Sequence, residues 1–212
     1  KPVVVFALDS SGSMRQDNYE APMLQGVRNA VLSHPDMEYA RVDWDDQSSK
    51  DFVSPGISHY PLGSGIDYSG PFRFGSTWPV EIRDIPMFIK ESEDTSYRSG
   101  LSEALTRIIT KRNSVTHPFL QRTTAWQVVF ITGKSEYGNE KIEDETVRAR
   151  LNGINVSTIG IGIGSATAET GLEASALKRM ALDTFGDPTI DVNLDVQPKS
   201  ADIERITNII LT

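Results

Sequence analysis

Six consecutive apolar residues, Val3-Val-Val-Phe-Ala-Leu8, stand at the head of this chain, and half of them are β-branched. A strand with one wet face alternates polar with apolar. A continuous run of this kind fits a strand covered on both faces, the usual condition of a parallel sheet. A small polar loop, Asp9 to Met14, follows it. Leu24, Val27 and Val31 then recur at helical spacing between about Asp17 and Ser33, with Pro22 tolerable in the first turn. Tyr39–Trp44 reads as a second strand. Strand, helix, strand predicts a right-handed parallel crossover.

Residues 46–83 break the pattern, with many Gly, Ser and Pro beside Phe52, Tyr60, Tyr68, Phe72, Phe74 and Trp78. One strand is expected within Phe52–Leu62, then a long irregular excursion whose aromatics mostly pack on the fold. Tyr68, Phe72 and Trp78 are its candidates for contact with a partner. Helical stripes return at Asp84–Glu91 and Gly100–Lys111. Ala125–Ile131 is an apolar strand. Lys141–Asn152 is a charged helix expected to turn Val147 and Leu151 inward. Ile154–Ile163 is a strand, Leu172–Phe185 a helix, Ile190–Leu194 a short strand and Ser200–Leu211 a closing helix with Ile203, Ile206 and Ile210 inward. The alternation predicts an α/β fold: an open, doubly wound, mostly parallel sheet with helices on both faces. The absence of any linker favours a single domain over 1–212, with an irregular insertion at about 46–83.

Composition removes several function classes. Lys and Arg number 21 against 29 Asp and Glu, a net charge of -8, which opposes a grip on nucleic acid and docking on anionic lipid. No stretch approaches the roughly 20 apolar residues of a spanning helix. Without cysteine there is no disulfide frame, zinc-thiolate site or thiol nucleophile. Lys1 leads straight into the first strand with neither an initiator Met nor a signal pattern, so the chain reads as a mature or excised domain.

In open α/β sheets, ligands gather at the carboxyl ends of the strands. The first strand delivers Asp9-Ser10-Ser11-Gly12-Ser13 to that edge. One carboxylate (Asp9) and two hydroxyls (Ser11, Ser13), turned about Gly12, form an all-oxygen set suited to Mg²⁺, Ca²⁺ or Mn²⁺ and unsuited to zinc or copper. Asp-x-Ser-x-Ser after an apolar first strand resembles von Willebrand factor type A domains. The likeness extends to Ser99-Gly-Leu-Ser-Glu-Ala-Leu105, Trp126-Gln-Val-Val-Phe-Ile-Thr132 and Ile154-Asn-Val-Ser-Thr-Ile-Gly-Ile-Gly162. It implies a metal-ion-dependent adhesion site in which Asp9, Ser11 and Ser13 match the first loop and Ser99 the second-loop hydroxyl.

The third loop departs. Relatives read Thr-Asp-Gly where this chain has Thr132-Gly133-Lys134, so a carboxylate is missing. Two readings stay open. In the first, the chain is a non-enzymatic adhesion domain that binds Mg²⁺ (or Ca²⁺ or Mn²⁺) and, through it, a protein partner offering an Asp or Glu carboxylate. In the second, the metal site is non-functional and the fold is a structural scaffold. Either implies part of a larger chain or assembly, extracellular, cell-surface or periplasmic.

Competing motifs are weak. Gly133-Lys134-Ser135 lacks the earlier glycine of a phosphate loop, since Val128 stands there, and Gly160-Ile-Gly-Ile-Gly164 fits a tightly packed strand end better than a dinucleotide fingerprint. His34, His59 and His117 show no metal spacing, and no Gly-x-Ser-x-Gly elbow makes Ser11 a nucleophile. Asp43, Asp45 and Asp46 read as a solvated strand end, with a second metal site as the minor alternative.

Overall fold

The computed structural model describes residues 1–12, 14, 17–44, 66–76, 94–95, 97–133, 136–137, 142–161, 168–186, 188–190 and 200–212. In chain order the elements are β1 (Val3–Asp9), α1 (Glu20–Ser33), β2 (Glu38–Trp44), β3 (Ile66–Ser69), β4 (Arg73–Phe74), β5 (Asp94–Thr95), α2 (Tyr97–Ser114), α3 (Pro118–Thr123), β6 (Trp126–Thr132), β7 (Glu136–Tyr137), α4 (Glu143–Leu151), β8 (Ile154–Gly160), α5 (Ala168–Leu182), β9 (Pro188–Ile190) and α6 (Ser200–Leu211). The main sheet runs β3-β2-β1-β6-β8-β9, with β4 also on β2, while β5 and β7 form a separate parallel pair. β2, β1, β6, β8 and β9 are mutually parallel, and β3 and β4 lie antiparallel to β2. The doubly wound, mostly parallel α/β architecture is therefore the one the alternation predicts.

β1 sits between β2 and β6, and every one of its residues is buried. The parallel register sends its side chains alternately to two cores. Phe6 and Leu8 join Val129 and Ile131 of β6 under Val27 and Val31 of α1 and Ile203 and Ile206 of α6. Val5 and Ala7 join Val128 and Phe130 under Leu101, Leu105 and Ile108 of α2 and Leu177 and Met180 of α5.

Three expectations are corrected. The stretch after Leu62 was expected to be irregular, yet residues 66–69 and 73–74 add β3 and β4 to the edge of β2. Backbone pairing to a distant strand overrides a Gly- and Ser-rich composition there. Val147 and Leu151 point outward, 44% and 81% exposed, because α4 turns Thr146 and Ala149 to the protein. Phe185 lies beyond the end of α5, in the left-handed region at φ 61°. The strand expected in 52–62, the helix at 84–91 and the residues 191–194 lie outside the described residues.

Candidate functional site

Asp9 ends β1. The register sets it opposite Trp44 of β2 on one side; on the other, one step past the Leu8–Ile131 pair, it stands beside Thr132 of β6. Ser10 then turns the chain off the sheet by donating both its N–H (2.8 Å) and its hydroxyl (2.9 Å) to the Trp44 carbonyl. The Ser11 N–H returns to Asp9 Oδ1 at 2.8 Å, a local side-chain turn of the kind Asp favours. Thr132 Oγ1 donates to Asp9 Oδ2 at 2.6 Å. The Ser11 side chain and the Gly133 N–H add further hydrogen bonds to the same carboxylate.

Asp9, Ser11 and Thr132 have no solvent exposure. Burial pushes the Asp9 carboxyl above the usual carboxylate range, and the hydrogen bonds from Ser11, Thr132 and Gly133 pull it back toward ionisation. A hydroxyl that gives its proton to a carboxylate keeps its lone pairs for another electrophile. The carboxylate and alcohols gathered here are thus a donor set that fits a hard divalent cation. Among the described residues no group of three or more His, Cys, Asp and Glu forms a denser metal cluster.

Ser99 lies in the first turn of α2 and is buried. Its neighbour Gly100 touches the Trp44 ring, which brings this turn to the strand edge that carries Asp9. Ser13 and Lys134 lie outside the described residues. Of the four residues expected at the site, Asp9 and Ser11 are brought together and Ser99 is placed at the same edge. Thr132 was not among them. Its signal is the strand register, which sequence spacing does not carry.

No space waits at the third-loop position. A Cβ on Gly133 would lie 2.7 Å from Met14 Sδ and 2.8 Å from Tyr19 Cδ2, so the corner is already filled. Met14 is fully buried, and its carbonyl accepts the Tyr19 N–H at 2.8 Å, which ties the two blocking residues into one turn.

Asp43 is a correction. It is neither solvated nor free for metal: Arg41, two residues earlier on the same face of β2, grips it with Nε to Oδ1 at 2.7 Å and Nη2 to Oδ2 at 2.6 Å, both side chains fully buried. Burial pushes the Asp43 carboxyl up against the opposing pull of the guanidinium. Asp45, Asp46 and His59 lie outside the described residues, and His34 and His117 precede β2 and β6, at the opposite edge of the sheet.

No profile of a known protein family matches the sequence, and no curated protein matches it. Solved structures do match in fold. Proximal thread matrix protein 1 from the mussel byssus, solved with a zinc-occupied MIDAS motif, superposes with a TM-score of 0.61 at 16% identity over 99% of this chain and 46% of that one. The pilus adhesin SpaC of Lactobacillus rhamnosus GG gives 0.66 at 14%, over 99% and 30%. A von Willebrand factor type A protein of Catenulispora acidiphila gives 0.62 at 14%, over 98% and 42%. The chain spans less than half the length of each. Its fold is that of a von Willebrand factor type A domain.

Proposed function

We propose that this domain is a non-enzymatic adhesion module that captures a protein partner through a divalent cation at the carboxyl edge of its sheet. Asp9, Ser11, Ser13 and Ser99 would hold Mg²⁺, with Ca²⁺ or Mn²⁺ as substitutes. When bound, the ion supplies a positive centre that one carboxylate does not neutralise, so an Asp or Glu of the partner completes both charge and coordination. The observation that carries this reading is the Asp9–Ser11 turn, in which a buried carboxylate and an alcohol are fixed at a strand end by hydrogen bonds. Ser11 and Thr132 keep that carboxylate ready for the ionised state. The net charge of -8 opposes an acidic partner at long range, but salt screens that repulsion beyond about 8 Å. Matrix and adhesin proteins among the fold's neighbours are compatible with a surface or extracellular setting inside a larger chain.

The scaffold reading keeps one specific support, the Met14–Tyr19 packing where a second carboxylate would have stood. Melting in Mg²⁺ or Mn²⁺ separates the two. A ligand that binds only the folded chain stabilises it by about 2.7 kcal/mol at a hundred times its Kd. The adhesion reading expects a rise in Tm at millimolar metal that chelator removes and Asp9→Ala abolishes. A wild-type Tm indifferent to metal leaves the scaffold.

A further inference from the structure

We infer that Thr132 is a positioning residue of the Asp9 site, so that the described end of β6, Thr132 and Gly133, serves the site through hydrogen-bond donors. The inference rests on the reading of Asp9 as the carboxylate of a cation site. Its geometry begins with the parallel register, which puts Asp9 and Thr132 side by side at adjacent strand ends, both without solvent exposure. The contact between them is short, 2.6 Å from Thr132 Oγ1 to Asp9 Oδ2, as a hydroxyl donating to a charged oxygen should be. Oδ1 is held from the other direction by the Ser11 N–H at 2.8 Å. With Ser11 holding Oδ1 and Thr132 holding Oδ2, the carboxylate cannot rotate about its bond to Cβ without breaking a buried hydrogen bond.

The next residue closes the alternative. A side chain at 133 would have to displace Met14, which is fully buried, and the Tyr19 ring. The loop therefore reaches Asp9 by the Thr132 hydroxyl and the Gly133 N–H. Outer partners of this kind typically change metal affinity by about 10- to 100-fold when removed.

Mn²⁺ titrated into the whole chain, with free ion counted by its electron paramagnetic resonance signal, is the test. Thr132→Val, nearly isosteric without the hydroxyl, is expected to weaken Mn²⁺ binding by about tenfold or more. Thr132→Ser, which keeps the hydroxyl, should bind as wild type does. Melting in chelator gives a metal-free readout: Thr132→Val should lower the Tm of the wild-type background more than that of Asp9→Ala, because the lost bond ends on Asp9. Undiminished Mn²⁺ binding by Thr132→Val, or an equal Tm loss in both backgrounds, overturns the role of Thr132 and leaves the cation reading standing. A wild type that binds no Mn²⁺ overturns that reading and this inference with it. Should Thr132→Val fail to fold, Thr132→Ser decides alone, and a tenfold loss there overturns the inference.

Discussion

The Trp44 ring rests directly on Gly100: a Cβ at Gly100 would lie 2.4 Å from Trp44 Cγ. On its other sides the ring stacks on Phe130, with centroids 4.6 Å apart, and meets Tyr97 edge-on at 5.6 Å. Its buried Nε1–H meets no acceptor among the described residues, so shape and not hydrogen bonding holds it. Trp44 is the register partner of Asp9, and Gly100 follows Ser99. This contact therefore sets how closely the first turn of α2 approaches the end of β1.

Gly100→Ala tests that spacing. In an exposed helix the change would stabilise by about 1 kcal/mol. Here the added methyl meets a ring that has no room to retreat, and overpacking of this kind costs about 1–3 kcal/mol. The urea midpoint is expected to fall, with an unchanged slope. A midpoint at or above that of wild type would mean that Trp44 yields freely and that the contact does not fix the spacing.

The buried Arg41–Asp43 pair carries a pH signature. Burial raises the folded-state pKa of Asp43 and the guanidinium lowers it, so removing Arg41 raises it further. A carboxyl with a raised folded pKa contributes stability that is present below its unfolded pKa and lost as pH rises through the folded one. Arg41→Met should thus lose about 3–5 kcal/mol at neutral pH, where an unpaired carboxylate stays buried, and distinctly less at mildly acidic pH, where Asp43 can take a proton. Asp43→Asn, which removes the group that titrates while Arg41 stays charged, should show a loss that does not shrink on acidification. Urea titrations of both variants across that range check it. Parallel pH dependences would contradict the assignment.

Much of this fold was legible because burial leaves a local trace. The Val3–Leu8 run could only be a strand covered on both faces, and Ile203, Ile206 and Ile210 at helical spacing drew α6 with its ends. What stayed hidden depends on pairing across the chain. β3 and β4 exist because β2 offers an edge, not because their residues alternate. Val147 and Leu151 share a helical stripe, yet the face that α4 buries is drawn in small residues such as Thr146 and Ala149. At the site, Asp9 and Ser11 are neighbours and could be read together. Thr132 is 123 residues away and enters only through the strand order β1-β6. Asp43 looked solvated because it was grouped with Asp45 and Asp46, although the strand read at Tyr39–Trp44 already put Arg41 on its face.

Gly133→Asp restores on paper the carboxylate that the third loop lacks. The packing at this position predicts the opposite of a rescue. The new Cβ falls within 3 Å of both Met14 and Tyr19, and a charged group would enter a corner lined by a thioether and an aromatic ring. Melting in chelator should show a lower Tm than wild type. Trimming the obstruction with Met14→Ala in the same chain should make Gly133→Asp less harmful than it is alone, a positive coupling readable from the four Tm values of the cycle. Additive losses would mean that the aspartate side chain leaves the corner without touching Met14.

Thr184 fills a gap in the sheet. Among the described residues β9 pairs with β8 from Thr158 onward, and the Val156 N–H donates instead to Thr184 Oγ1 at 2.9 Å. That hydroxyl passes its own proton to the Met180 carbonyl at 2.8 Å, all of it buried. Thr184→Val keeps the shape and deletes the acceptor, leaving a buried N–H whose desolvation costs about 1–3 kcal/mol. The Val156 amide should then exchange with deuterium faster than the global loss of stability alone would allow, while Val129 and Ile131 in β6 follow the global change. Thr184→Ser should restore slow exchange. An unchanged Val156 amide in Thr184→Val would show that another acceptor serves this strand end.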